Sequence, residues 1–223
     1  MTQLLLVAGL LIGLALNLLL VMTLTDERLR IWPTPGEGSW QSLTFWSLFR
    51  ALNIAALAMA ALDWGALGLL PDTLRWIALA VALVCAVLYL RSLVSLGPPN
   101  TYCQRAGLVE RGIYRWTRNP QYATVIPAYV ALAVAADSEY ALLLIALLVM
   151  VYVLMAYAEE PWLKAAYHDS YARYAARVPR FYNWRRTRAF LRLIRRLFAP
   201  APLRFGSPQL RHLAAIGLPR KRQ

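Results

Sequence analysis

Residues 123–158 read ATVIPAYVALAVAADSEYALLLIALLVMVYVLMAYA. Two apolar runs, Ala123–Ala136 and Tyr140–Ala158, are separated only by the Asp-Ser-Glu sequence at 137–139. A helix needs about 20 apolar residues to cross a bilayer core. So short a connection joins helices only as a tight turn. The stretch therefore predicts an antiparallel pair of membrane helices, the first of them short.

Three further apolar runs precede this hairpin, at Leu4–Leu24, Leu43–Leu62 and Leu74–Leu96. The chain is 60% hydrophobic and 16% charged, whereas soluble domains are about 45–50% apolar and about 25% charged. The first run has no basic segment before it and no small-residue cleavage site, which disfavours a removable signal peptide. We therefore predict an all-α integral membrane bundle of five transmembrane helices with a cytoplasmic C-terminal helical extension.

The distribution of charge predicts the topology. Lys and Arg number 24 against 11 Asp and Glu, a net charge of +13. Five spans place every basic residue except Arg75 on the side of the C-terminus or at span ends that face it. Basic residues mark the cytoplasmic side. We therefore expect the N-terminus outside and the C-terminus in the cytoplasm, and the basic excess serves the membrane surface rather than nucleic acid.

The segment after the last span is polar. Glu159–Val178 is helix-prone, and residues 184–198 place apolar side chains on one helical face and arginines largely on the other. That pattern predicts an interfacial helix on anionic lipid, with a solvated basic helix as the alternative. Cys85 and Cys103 lie too far apart in sequence to indicate a metal cluster, and we predict no metal site.

Two polar clusters lie at the predicted cytoplasmic ends of the hairpin, residues 107–122 and the pair Glu159 and Glu160. Polar groups are expensive at membrane depth, so such clusters are candidate sites. An arginine beside two carboxylates suits a zwitterion such as an amino acid head group. Each residue also has a structural explanation: it could set the membrane topology, lie among the aromatic residues of the membrane–water interface, or begin or end a helix. Because all of these residues are predicted to lie together at the cytoplasmic end of the hairpin, a functional site is favoured over separate structural roles.

Both clusters resemble motifs of one family. Residues 112–122 (GIYRWTRNPQY) resemble a Gly-x-Tyr…Arg-His-Pro-x-Tyr motif, and residues 159–179 resemble a Glu-Glu…Tyr-x-x-Tyr…Val-Pro motif. Both motifs belong to the isoprenylcysteine carboxyl methyltransferase-like membrane methyltransferases. The resemblance is most diagnostic over residues 74–182. It implies a single transmembrane methyltransferase domain at 1–182, followed by a basic amphipathic tail at 183–223.

The resemblance implies transfer of a methyl group from S-adenosylmethionine, with S-adenosylhomocysteine as product. The acceptor would be a lipophilic or amphiphilic molecule that enters sideways from the bilayer at the cytoplasmic face. Arg118 and Glu159 match the positions regarded as catalytic. The implied donor contacts are Ala106, Gly107, Leu108, Val109, Tyr114, Asn119, Pro120, Gln121, Tyr122 and Glu159.

Several positions depart from the family pattern. Asn119 replaces the motif histidine, and His168 stands where many members have glycine. Met155 occupies the position of an arginine in animal prenylcysteine carboxyl methyltransferases, which argues against a prenylcysteine carboxylate as acceptor. The Pro- and Gly-rich stretch Trp32–Trp40 is either a turn with interfacial tryptophans or a lid over the substrate entrance.

Two other functions stay open at this stage. The first is an NADPH-dependent membrane reductase related to sterol reductases, which carry a similar Arg-His-Pro-x-Tyr hairpin but more spans. The second is a non-catalytic membrane scaffold, in which Arg118, Glu159 and Tyr114 would be replaceable. For a methyltransferase, phospholipid amines, small thiols, isoprenoid acids and quinone-like phenols all remain open as acceptors. A neutral amine or thiol would need a proton sink, and Glu159 or Glu160 is the nearest.

Overall fold

The computed structural model describes residues 1–102, 104 and 106–182, with only the backbone at Glu27. The predicted interfacial helix at 184–198 and the rest of the 183–223 tail lie outside the described residues, as does Cys103. Within the described part, every regular element is a helix. The α-helices are α1 Thr2–Thr25, α2 Trp40–Leu62, α3 Asp72–Leu96, α4 Pro98–Thr101, α5 Pro120–Ala136 and α6 Glu139–Arg177, and short 3-10 helices span Glu27–Leu29 and Gly112–Arg115.

The predicted all-α membrane bundle is confirmed. Helices α1, α2, α3 and α6 are long and apolar enough to cross a membrane, and α5 is a shorter apolar helix of 17 residues. Pro127 lies inside α5. Helix α6 runs 19 residues beyond the predicted span Tyr140–Ala158, to Arg177, and its helical geometry is broken by a kink at His168 within this extension. The chain is a multi-pass membrane protein.

Two turns meet at one end of the bundle, residues 63–71 and residues 137–139. The Asp137 carboxylate accepts hydrogen bonds from two backbone N–H groups of the first turn, at 2.9 and 3.1 Å. Arg75 donates to the carbonyl of Ala135 at the same end, at 3.1 Å. The five-span prediction places these turns and Arg75 on one side, and their contacts agree with it.

Helix α1 packs against α6 through small residues. A Cβ added at Gly13 would lie 2.8 Å from Leu147 Cδ1 and 3.1 Å from Leu147 Cβ. The Asn17 amide donates to the carbonyls of Gly13 and Leu147, at 2.8 and 3.1 Å. Helices in lipid associate by close packing and interhelical hydrogen bonds, because the surrounding tails are as apolar as the helices. Gly13 therefore sets the approach of α1 to α6.

Replacing Gly13 by leucine is expected to lower the unfolding temperature in detergent, because the new side chain must displace Leu147 or push the two helices apart. Overpacking of this kind costs about 1–3 kcal/mol. Gly36→Leu is the matched control, because Gly36 lies in an exposed loop with nothing within 4 Å of an added Cβ. Equal unfolding temperatures for the two variants would show that α1 and α6 do not pack closely.

Helices α2 and α3 bound a cavity from different sides. Helix α2 packs against α1 and α6, whereas α3 packs mainly along α5. Side chains of both helices line the same cavity, Trp46 and Phe49 from α2, and Tyr89 and Leu93 from α3. Trp46 lies near the start of α2 and Leu93 near the end of α3, both far from the 63–71 turn that joins these helices. The cavity therefore sits at the end of the bundle opposite the 63–71 and 137–139 turns.

Candidate active site

The cavity has a volume of about 260 Å³ and two differently lined parts. Its aromatic part is lined by Trp46, Phe49, Tyr89 and Tyr152. The ring of Phe49 contacts those of Trp46 and Tyr152, with centroids 5.8 and 5.5 Å apart. Its polar part is lined by Tyr114, Arg118, Asn119, Gln121, Tyr122 and Glu159. An apolar chamber that ends in a few polar groups is typical of sites for amphiphilic small molecules.

Glu159 is the acidic residue of the cavity lining. Its Oε1 atom accepts hydrogen bonds from Tyr122 Oη and from Trp32 Nε1, the latter at 2.9 Å. In the described part of the chain, both protein donors contact Oε1, which leaves Oε2 for a ligand. Glu159 follows the membrane-spanning part of α6, and burial raises its pKa to about 7 although both hydrogen bonds lower it. The carboxyl therefore changes charge near neutral pH.

Glu160 has a different environment although it is the next residue. It forms ion pairs with Arg118, whose Nη1 lies 2.7 Å from Oε1, and with Arg180. Burial alone would raise the pKa of Glu160, but the hydrogen bond from Arg180 and the charges of both arginines outweigh it and hold the pKa below its usual range. Glu160 is therefore a permanent anion that positions Arg118, whereas Glu159 titrates.

The two sequence motifs are held together by backbone contacts. Arg118 N–H donates to the Pro179 carbonyl at 2.9 Å. The Arg180 carbonyl accepts from Thr117 Oγ1 and Asn119 Nδ2, at 2.9 and 3.0 Å. The loop that enters α5 is thus fixed to the chain just after α6, which brings Arg118 and the glutamates into one place. Asn119 faces this contact, so it fixes the motif loop through its amide.

Most of the predicted donor contacts line the cavity. Those that do are Gly107, Leu108, Val109, Tyr114, Asn119, Gln121, Tyr122 and Glu159, with Arg118 beside them. Ala106 and Pro120 are not among the lining residues. Ala106 N–H donates to Asn100 Oδ1 at 3.2 Å, and Pro120 is the buried first residue of α5. The roles assigned to all of these residues remain predictions.

The structure shows two features of the site that the sequence left open. Arg118 pairs with Glu160 and not with Glu159, because adjacent residues on a helix point about 100° apart. The Trp32–Trp40 stretch divides, since Trp40 is 58% exposed whereas Trp32 is 3% exposed and lines the cavity. Sequence reasoning also missed Arg180, although it directly follows the Val-Pro pair of the second motif.

His168 occupies a backbone conformation that favours glycine. Its φ is 44° and its ψ is −125°, and it interrupts the helical geometry of α6. This is the position at which many members of the resembled family have glycine, so the sequence contained the signal. A non-glycine residue in such a region costs about 1–3 kcal/mol. His168 is also exposed, so its side chain offers little to offset that cost.

Replacing His168 by glycine is therefore expected to stabilise the protein by about 1 kcal/mol, after the larger unfolded-state entropy of glycine is subtracted. The measurement is the unfolding temperature in detergent. His168→Ala is the control, because it removes the imidazole but keeps the Cβ that causes the strain. A rise in the alanine variant equal to that of the glycine variant would assign the effect to the side chain and contradict the strain.

Comparison with known proteins gives one match. The family model described as phospholipid methyltransferase matches residues 73–170. This range runs from α3 into the extension of α6 and includes the first motif, Glu159 and Glu160. No curated protein and no solved structure matches the chain. The predicted resemblance is confirmed over residues 73–170, which match the phospholipid methyltransferases, part of the isoprenylcysteine carboxyl methyltransferase-like family of membrane methyltransferases.

Proposed function

We propose that the protein transfers a methyl group from S-adenosylmethionine to an amphiphilic acceptor at the cytoplasmic face of the membrane. The methyltransferase family of residues 73–170 supports the reaction type. The observation that carries the proposal is that Arg118 and Glu159 line one cavity, at the boundary of the predicted span and beside an aromatic chamber. The basic loops on that side of the five-span map support the cytoplasmic orientation.

The polar part of the cavity fits the chemistry of the donor. Arg118 lines the cavity and carries a positive charge, so it can attract the carboxylate of the donor's amino acid part. Tyr114 and Tyr122 offer ring faces to a purine or a sulfonium. Gly107 has a φ of 112° and lets the backbone approach a ligand closely. When bound, S-adenosylmethionine supplies an electrophilic methyl group on a positively charged sulfur.

The charges of the side chains that line the cavity favour an amine as the methyl acceptor. An acidic acceptor would need a second cation besides the one assigned to the donor's carboxylate, but Arg118 is the basic residue among the described lining residues, and Met155 adds no charge. A neutral amine must lose a proton as its nitrogen gains the methyl group. Glu159 Oε2 can take that proton, because the carboxylate form dominates above a pKa of about 7. Arg118 and Tyr122 orient the reactants.

The aromatic part of the cavity supports access from the bilayer. Trp46 on α2 and Tyr89 on α3 face the same cavity, whereas the two helices pack mainly on other neighbours. An acyl or prenyl chain could pass between α2 and α3 while the water-soluble donor arrives from the other side. Anionic lipid at residues 184–198, outside the described residues, remains a proposed partner.

The test is incubation of the purified protein with methyl-labelled S-adenosylmethionine and a total membrane lipid extract, followed by identification of the labelled lipid. We expect label on the nitrogen of an amine-bearing lipid, and inhibition by S-adenosylhomocysteine. Label only on carboxyl esters would overturn the choice of acceptor. No transferred label, with stabilisation by NADPH and none by S-adenosylhomocysteine, would overturn the function in favour of a reductase.

A further inference from the structure

Trp32 contacts the site from a part of the chain outside the family match. It lies between α1 and α2, whereas the match covers residues 73–170. The indole is 3% exposed, and its Nε1 donates to Glu159 Oε1 at 2.9 Å. A buried indole N–H needs an acceptor, and here the acceptor is the titrating carboxyl of the cavity. The segment between the first two helices thus supplies a group that touches Glu159.

The orientation of Trp32 is fixed from two helices. Its ring stacks on Phe45 of α2, with centroids 4.5 Å apart, and meets Trp46 edge-on at 5.8 Å. The adjacent residue Ile31 donates its N–H to Thr23 Oγ1 of α1, at 3.0 Å. An interfacial anchor would be exposed, as Trp40 is. Trp32 is therefore a rigid donor, and Trp46 connects it directly to the aromatic part of the cavity.

The hydrogen bonds around Glu159 are asymmetric. Trp32, from the segment between α1 and α2, and Tyr122, from α5, both donate to Oε1. A carboxylate held by two donors on one oxygen cannot rotate freely, so its second oxygen keeps one direction. Both donors are also neutral, and they stabilise the charged carboxylate without adding a competing cation.

We propose that Trp32 is a positioning residue for methyl transfer, which holds Oε1 of Glu159 so that Oε2 stays directed at the bound reactants. This inference rests on the proposed function of Glu159. It assigns to the α1–α2 segment a role that the matched region does not contain. Trp32 acts through Glu159 and does not itself contact the reacting atoms in this account.

The test removes the N–H donor and keeps the ring. Trp32→Phe preserves an aromatic side chain against Phe45 but cannot donate to Glu159. Trp40→Phe is the matched control, since Trp40 is exposed at the start of α2. The first readout is the pH titration of the Glu159 carboxyl by infrared difference spectroscopy, with Glu159→Gln identifying its band. The second is the pH profile of methyl transfer.

The other ionisable groups near Glu159 do not titrate in the same pH range. Tyr122 contacts Glu159 directly, through its hydrogen bond to Oε1. Burial raises the pKa of Tyr114 and of Tyr171, which are also coupled electrostatically to Glu159, so these two tyrosines stay neutral between pH 5 and pH 9. Arg118 and Glu160 remain an ion pair across that range, because the pKa of Glu160 is held low. The band that changes near pH 7 therefore belongs to Glu159.

Loss of one donor to the charged carboxylate should move the infrared midpoint of Trp32→Phe up by about one pH unit. The pH profile should move with it, and the maximal rate should fall about tenfold or more. Trp40→Phe should match the wild type. An unchanged midpoint and rate in Trp32→Phe would overturn the positioning role while wild-type activity upholds the proposed function. A lower unfolding temperature with an unchanged midpoint would make Trp32 a packing residue only. Absence of methyl transfer by the wild type would overturn both the proposed function and the positioning role of Trp32.

Discussion

Replacement of Glu159 by glutamine is expected to lower methyl transfer by about 100-fold or more, which is the usual contribution of a positioned proton acceptor. Glutamine keeps an oxygen that can accept from Trp32 and Tyr122, so the local packing should survive. It cannot take a proton from an amine or carry negative charge. The loss should therefore appear in the rate of transfer to the lipid fraction while the spans stay folded.

The same variant should be more stable than the wild type at alkaline pH. Burial raises the pKa of Glu159 from 4.5 to about 7, so folding favours the protonated form. The wild type consequently loses stability as the pH rises from about 4.5 through 7, whereas glutamine carries no such dependence. We expect unfolding temperatures that coincide below about pH 4.5, separate between pH 4.5 and 7, and stay separated above pH 7, with Glu159→Gln the higher.

Glu139→Gln is the matched control, because Glu139 is exposed in the first turn of the same helix, at the opposite end of its span. It should leave the rate and the pH dependence of stability close to those of the wild type. Wild-type activity in Glu159→Gln would contradict the role of this carboxyl. Equal pH dependence in the wild type and Glu159→Gln would contradict its burial.

Replacement of Arg118 by alanine is expected to abolish methyl transfer and to lower stability. The guanidinium contacts Glu160 at 2.7 Å and Tyr171 Oη at 3.3 Å, with 11% of its side chain exposed. Removing one member of a buried ion pair costs about 3–5 kcal/mol when no partner remains. Glu160 keeps Arg180 here, so the loss of stability should be smaller and the spans should remain folded.

The double variant Arg118→Ala, Glu160→Gln separates catalysis from stability. It removes the cation together with the charge that the cation neutralises, and removal of both partners is often nearly neutral. We expect its unfolding temperature to recover toward the wild-type value without recovery of methyl transfer. Full activity in either variant would refute the role of Arg118. Recovery of activity together with stability would reduce Arg118 to a structural residue.

The sequence predicted the spans because their signals are local. Hydropathy and the three-residue connection at 137–139 are sufficient for the α5–α6 hairpin, and that hairpin brings Arg118 close to the two glutamates. The extension of α6 beyond Ala158 is also local, since the segment after it is helix-prone. These features require no knowledge of which helix packs on which.

The pairing inside the site was not predictable in the same way. Glu159 and Glu160 are chemically identical neighbours, and only the rotation of α6 decides which one meets Arg118 and which one faces the cavity. Trp32 reaches Glu159 across 127 positions of sequence, and no local pattern encodes that distance. Its burial depends on how α1 and α2 pack against α6, which is a property of the tertiary structure.

The central claim is that the cavity lined by Arg118 and Glu159 binds S-adenosylmethionine, and equilibrium binding of the labelled donor to the purified protein tests it most directly. The account predicts saturable binding at one site per chain that S-adenosylhomocysteine displaces and NADPH does not. It also predicts much weaker binding to Arg118→Ala, Glu160→Gln and unchanged binding to Glu139→Gln. Binding that resists S-adenosylhomocysteine, or that is as tight in the Arg118 double variant as in the wild type, would contradict it.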